Sequence, residues 1–96
     1  MKLTWTRTAI ADRHKIYDHI EANNPRAAVN LDNAFEEKAS QLLQYMNIGR
    51  LGRISGTREL VISGTQYLMI YRYDKSSVII LRILHGAQQW PDASEN

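Results

Sequence analysis

The segment Val78–Leu84, VIILRIL, limits this chain more than any other. Its residues fall on two alternating sets: Val78, Ile80 and Arg82 on one side, Ile79, Leu81 and Ile83 on the other. A strand with one wet face alternates apolar and polar residues. A strand apolar on both faces has to be covered on both. The rest of the chain must therefore supply neighbouring strands and at least one covering layer, which makes Val78–Leu84 the expected centre of a sheet.

The covering layer is legible upstream. Lys2–Thr6 alternates, with Leu3 and Trp5 on one face, and reads as a short first strand. Thr8 is the expected N-cap of a helix that carries Asp12 in its first turn, where the dipole favours negative charge. Ile10, Ile16, Tyr17 and Ile20 form the expected apolar stripe, and the helix is expected to stop at Asn23-Asn24. Asn24-Pro25 then starts a second helix: asparagine caps, and proline at the first helical position arrives with its φ already set. Ala28, Leu31, Phe35, Ala39, Leu42 and Met46 follow at helical spacing, and Gly49 is the expected C′ residue. Two helices joined by almost no loop form an antiparallel hairpin.

Ile48–Gly56 reads as a connector with turn glycines. It lacks the GK[ST] of a P-loop. Arg58–Ile62 is the next expected strand. Gln66–Tyr73 alternates strictly, with Tyr67, Met69, Tyr71 and Tyr73 on one face and Leu68, Ile70 and Arg72 on the other. The expected architecture is α+β: a small, mainly antiparallel sheet with an N-terminal strand, a helical hairpin on one face and three C-terminal strands, in the order β-α-α-β-β-β. Residues 1–91 form one domain on this reading, and 92–96 a frayed tail.

Composition removes whole classes of function. With 96 residues the chain is sized for one domain. It has no cysteine, which excludes a disulfide scaffold, a thiolate zinc site and a thiol nucleophile. His14, His19 and His85 do not have metal-ligand spacing, so neither a metal nor a cofactor is expected. No stretch approaches the roughly 20 apolar residues of a membrane helix. Met1–Ile10 is too short and polar for a signal peptide, and a cytoplasmic protein with no membrane contact is expected.

The net charge of +2 hides an uneven distribution. Residues 1–47 are neutral, residues 48–90 carry +4, and Asp92 and Glu95 carry −2. Five of the six cations in the second half are arginine: Arg50, Arg53, Arg58, Arg72 and Arg82. Arginine's planar fork suits phosphate and carboxylate, so an anionic partner competes with a merely solvated basic surface.

Arg82 interrupts the central strand. A buried arginine is costly unless paired; either Glu59 or the tail satisfies it, or it emerges on the open face and binds an anion. His85 is either a capping residue or a general acid. Strict alternation puts the two on opposite faces, and a bulge or the strand end is needed to bring them together. Arg58 reads as a surface ion pair with Glu59 or as an anion contact. The tyrosine stripe reads as core rather than a base-stacking platform, and Trp90-Pro91 as an anchor for the last segment. Such a set is compatible with ribonucleolytic cleavage, in which arginines stabilise the strained phosphate and an acid protonates the leaving oxygen. It is equally compatible with a protein that only binds.

Gly56-Thr57-Arg58-Glu59-Leu60, Tyr67-Leu68-Met69-Ile70-Tyr71-Arg72 and Ile80-Leu81-Arg82-Ile83-Leu84-His85-Gly86-Ala87-Gln88-Gln89-Trp90-Pro91 together resemble the RelE/ParE superfamily. The resemblance extends to the Asn24-Pro25-Arg26-Ala27-Ala28 junction and spans nearly the whole chain. It implies a growth-inhibiting toxin of a type II toxin–antitoxin module, also called a plasmid-stabilisation protein. A cognate antitoxin would neutralise it, and operator DNA would be met only through that antitoxin. Two mechanisms occur in the superfamily: ParE-like poisoning of DNA gyrase, and RelE-like cleavage of messenger RNA on the ribosome. For the nuclease, Arg58, Arg82 and His85 are the catalytic candidates, with Arg50, Arg53 and Arg72 as nucleic-acid contacts. RelE-type nucleases often carry a basic residue where this chain has Leu68. The long hairpin and the Tyr-Arg-Tyr strand look more like the ParE branch. A third alternative is a non-toxic module that retains only antitoxin binding.

Overall fold

The computed structural model describes residues 1–86, 88, 90 and 91. The elements are β1 (Lys2–Trp5), α1 (Arg7–Glu21), α2 (Pro25–Gln41), β2 (Arg50–Leu51), β3 (Arg58–Val61), β4 (Tyr67–Tyr73) and β5 (Ser77–His85). They form an α+β fold with a five-stranded sheet ordered β1-β5-β4-β3-β2. β5 has a strand on either side: β1 runs parallel to it, Lys2 opposite Ser77 through Trp5 opposite Ile80, and β4 runs antiparallel. The expected tail, 92–96, lies outside the described residues.

Both faces of β5 are covered. On one, the helical hairpin encloses a core that includes Ala9, Phe35, Ala39, Leu42, Met69, Tyr71, Val78, Ile80 and Ile83. On the other, Leu68, Ile70 and Leu84 are buried, with Leu81 and Trp90 packed against them. Trp90 thus anchors the end of the chain to the sheet.

The strand faces differ from strict alternation in one place. The β4–β5 register moves from Ile70↔Arg82 to Tyr71↔Ile80, leaving Leu81 as the extra residue of a bulge. Beyond it the phase of β5 is reversed, so Ile83 joins Val78 and Ile80 in the core beneath the helices instead of facing away from them.

The helices depart from expectation in ways with clear causes. Thr6, not Thr8, caps α1: its Oγ1 accepts from Ala9 N at 3.0 Å and donates to the Leu81 carbonyl at 2.9 Å. Asp12 therefore lies beyond the first turn, and with Ala9 it forms the buried face of α1. Ile10, expected in the apolar stripe, is 42% exposed. Asn24 caps α2 as expected, accepting from Ala27 N at 3.1 Å. That helix ends at Gln41, earlier than the apolar spacing predicts. Leu42 and Met46 still pack on the core, but the backbone after Gln41 is held by turn bonds and by Tyr71.

Gly49 is consequently not a helix C′ residue. Its N–H donates to the Tyr71 hydroxyl at 2.9 Å, and a Cβ there would sit 2.7 Å from that oxygen and 2.8 Å from the ring. The connector contains one element that sequence patterning did not reveal, β2, whose Arg50 and Leu51 pair antiparallel with Glu59 and Arg58. Two residues are too short a segment to show a period.

Candidate functional site

The arginines of the second half are distributed over three settings. In the first, Arg82 turns toward α1 and meets Asp12. The Asp12 carboxylate accepts from Arg82 Nε at 2.9 Å, from Nη2 at 3.1 Å and from the backbone N–H of Ile83 at 2.9 Å. Glu59, one of the two sequence-based candidates, is engaged by Arg50 and Arg53 instead, and the other, the tail, lies outside the described residues. A side-on pair with charge-assisted hydrogen bonds fixes the guanidinium plane. Arg82 and His85 line one cleft of about 330 Å³, together with Asp12, Lys15, Ile16, His19, Tyr67, Ile83 and Gln88; the bulge precedes both residues and leaves their relative phase unchanged, and the Arg82 side chain joins the cleft through its turn toward Asp12. His85 Nε2 lies 2.6 Å from Gln66 Oε1, and its ring meets the edge of Tyr67 at 5.7 Å between centroids.

In the second setting, Arg50 and Arg53 converge on Glu59, which is 2% exposed. Glu59 accepts from Arg50 Nη2 at 3.1 Å, from Arg53 N at 3.1 Å and lies 3.3 Å from Arg53 Nε. Their charge is therefore partly spent inside the protein, holding the connector against β3.

In the third, Arg58 does not pair with Glu59, because the two point to opposite sides of β3. Its Nη1 donates to the carbonyls of Gly49 at 2.7 Å and Asn47 at 3.2 Å, and its guanidinium lies 5.8 Å from the Tyr73 ring centroid. Arg58, Arg72 and Tyr73 line a second cleft of about 310 Å³ with Leu51, Gly56 and Thr57. Arg72 is exposed at its rim.

The expected core stripe holds for Tyr71 and, half-buried, for Tyr67, but Tyr73 is exposed. Tyr71 is fully buried, and its hydroxyl donates to the Met46 carbonyl at 2.8 Å while accepting from Gly49. Burial pushes the Tyr71 phenol up from its usual range; the Gly49 hydrogen bond and the nearby Arg58 oppose that rise. Leu68, at the position that is basic in RelE-type nucleases, is buried under the second core cluster and presents nothing to either cleft.

Two cleft residues, Lys15 and His19, were missed from sequence. With Asp12 and Ile16 they occupy positions 12, 15, 16 and 19, one stripe of α1. A mixed polar stripe reads as solvent-facing until the packing direction of the helix is known. Among the described residues no group of three or more potential ligands is placed to hold a metal ion, and no helix is long and apolar enough to cross a membrane.

Residues 3–90 match the model of a family described as the ParE toxin of the type II toxin–antitoxin system parDE. The chain belongs to the ParE toxin family. It is 36% identical over 90 residues to Putative toxin Y4kP of Sinorhizobium fredii, covering 94% of this chain and 93% of that one. The chromosomal ParDE toxin–antitoxin system from P. aeruginosa superposes with a TM-score of 0.80 at 30% identity, covering 88% of this chain and 95% of the other. The RelBE2 toxin–antitoxin complex from Mycobacterium tuberculosis gives 0.61 at 28% identity over 91% and 92%. A YoeB/ParE toxin from Agrobacterium tumefaciens, at 16% identity and a TM-score of 0.60, shares the fold over 88% of this chain and 98% of its own. The superfamily resemblance read from the sequence is thus upheld, and the protein is a ParE/RelE-type toxin of the type II class.

Proposed function

We propose that this ParE-family toxin arrests growth by poisoning DNA gyrase and is held inactive in the cytoplasm by a cognate antitoxin. The observation that carries the choice of target is the engagement of the candidate catalytic arginines within the fold. Arg82 is bridged side-on by Asp12, and Arg58 spans two backbone carbonyls. A nuclease needs its cations directed at a phosphate. Here they are directed, in large part, at the protein itself. The ParDE likeness at TM-score 0.80 supports the same branch.

Expression without antitoxin should stop growth; unimpaired growth identifies a non-toxic antitoxin-binding module instead. If growth stops, excess purified toxin should trap cleaved DNA in a gyrase supercoiling reaction. Unchanged supercoiling would remove gyrase as the target.

A ribosome-dependent endoribonuclease is the second reading, because Arg82 and His85 line one cleft. It predicts new codon-spaced messenger RNA ends on induction, visible by primer extension. Full toxicity of Arg82→Ala combined with His85→Gln would leave it without chemistry.

The antitoxin rests on the likeness to the ParDE and RelBE2 systems. Co-expression with the product of the adjacent gene should restore growth and yield a complex that co-elutes on gel filtration. Operator DNA should be bound by that complex and not by the toxin alone.

A further inference from the structure

The sheet has an edge at β2, and its chemistry is not that of an idle edge. Natural edges are kept short and charged, which discourages pairing with another chain. β2 is short, yet its Leu51 is 78% exposed, the most of any large apolar side chain among the described residues. The backbone at that point is also turned outward. Gly52 directs its N–H inward, to the Thr57 carbonyl at 2.9 Å. Antiparallel pairing alternates, so Leu51, opposite Arg58, directs its N–H and C=O away from β3 and out of the sheet.

Beside that edge the sheet is notched. β3 begins at Arg58, opposite Tyr71, while β4 continues through Arg72 and Tyr73. The space beyond the start of β3 is the cleft of about 310 Å³ that Leu51, Arg58, Arg72 and Tyr73 help to line. Its two arginines differ from the others of the second half. Arg50 and Arg53 are matched to Glu59, and Arg82 to Asp12. Arg58 is oriented by two carbonyls, which do not neutralise it. Arg72 has no hydrogen-bond or ion-pair partner among the described residues. The carboxylate that follows Tyr73, Asp74, is taken up by the N–H and hydroxyl groups of Ser76 and Ser77.

We propose that the β2 edge docks an extended, acidic segment of a partner protein. One residue of the segment pairs with the outward N–H and C=O of Leu51, an apolar side chain covers Leu51 and Tyr73, and a carboxylate enters the notch between Arg58 and Arg72. Strand addition takes its affinity from such backbone pairing and its specificity from the side chains alongside. Charge complementarity selects the acidic segment. A nucleic-acid strand would satisfy the arginines and leave Leu51 uncovered. A second copy of β2 would set like charge against like. The surface is argued from this chain's own edge and depends on neither the gyrase nor the ribonuclease reading.

The full-length toxin, ¹⁵N-labelled, is titrated at constant ionic strength with a capped peptide alternating glutamate and valine, with its glutamine–valine counterpart and with oligothymidylate. The acidic peptide should shift the amide signals of Arg50, Leu51, Gly52, Arg72 and Tyr73 saturably and bind at least tenfold more tightly than the glutamine peptide. Leu51→Pro removes the outward N–H without touching an inward one, a place where an edge strand tolerates proline, and should weaken binding at least tenfold. Leu51→Ala keeps that N–H and should lose less. Arg72→Gln should weaken binding several-fold and flatten its dependence on salt. Both positions are exposed, so unchanged signals elsewhere confirm that each variant keeps the fold. Absence of a saturable shift with the acidic peptide overturns the proposal. So does equal binding of the glutamine peptide, tighter binding of oligothymidylate, or undiminished binding by Arg72→Gln or by a folded Leu51→Pro. Gyrase and growth assays do not enter this test, and its failure leaves the toxin reading untouched.

Discussion

Asp12 on α1 holds Arg82 on β5 from seventy positions away, with both carboxylate oxygens on the guanidinium and one also on the next backbone N–H. The contact ties the helix to the strand just past the Leu81 bulge. Removing one partner of a buried ion pair leaves the other charge stranded in a poor solvent. Asp12→Asn should therefore destabilise the fold by about 3 kcal/mol, near the low end for such losses because Arg82 retains some solvent contact. Urea unfolding followed by circular dichroism checks this; an unchanged midpoint would mean that the bridge contributes nothing net.

Tyr71 joins β4 to the turn after α2 through its hydroxyl. Tyr71→Phe strands the Gly49 N–H and the Met46 carbonyl and should cost about 2 kcal/mol. Gly49→Ala should be at least as damaging, since its Cβ would press into the Tyr71 ring. Both effects are read from denaturant midpoints at unchanged slope.

The same residue gives a pH prediction. Its phenol ionises less readily in the folded chain than in the unfolded one, chiefly because of burial. The unfolded state therefore releases a proton that the folded state retains. The associated stability is fully present below about pH 10 and falls as pH rises beyond it. The native protein should lose stability in that alkaline range, and Tyr71→Phe should lose less of it over the same range.

Glu59 is the anchor of the basic connector. Glu59→Gln removes the charge that gathers Arg50 and Arg53. Amide hydrogen exchange over Gly52–Thr57 should quicken several-fold, while exchange in β5 stays slow. Equal protection in both proteins would show that the turn bonds alone hold the loop.

Thr6 serves two elements, capping α1 and holding the Leu81 carbonyl. Thr6→Ala should cost about 1–2 kcal/mol, the upper part of the range for a lost cap. Thr6→Ser keeps the hydroxyl and should recover most of that stability.

The layout of the fold was readable because its signals are local and periodic. β4 alternates and β5 is apolar on both faces. Asn24-Pro25 begins α2 whatever surrounds it. The misreadings fall where a long-range contact decides. Thr6 outcompetes Thr8 as a cap because β1 and β5 fix the chain there. Ile10 looks like core, yet the turn of α1 is set by the burial of Ala9 and Asp12. The pairing of Arg82 with Asp12 has no local trace, since the two lie at opposite ends of the chain. Alternation places Arg82 and His85 on opposite faces, and no bulge lies between them; they share a cleft because Arg82 turns toward Asp12, which alternation does not show. Lys15 and His19 became candidates only once the sheet lay opposite them.

The place of β1 in the sheet bears on how the domain folds. β1 finds its hydrogen-bonding neighbour in β5, at the far end of the domain, with Leu3 opposite Val78 and Trp5 opposite Ile80. Such a closure is slow relative to local pairing. Without Ser77–His85, β1 has no partner and the sheet no centre, so the helical hairpin loses much of the surface it packs on.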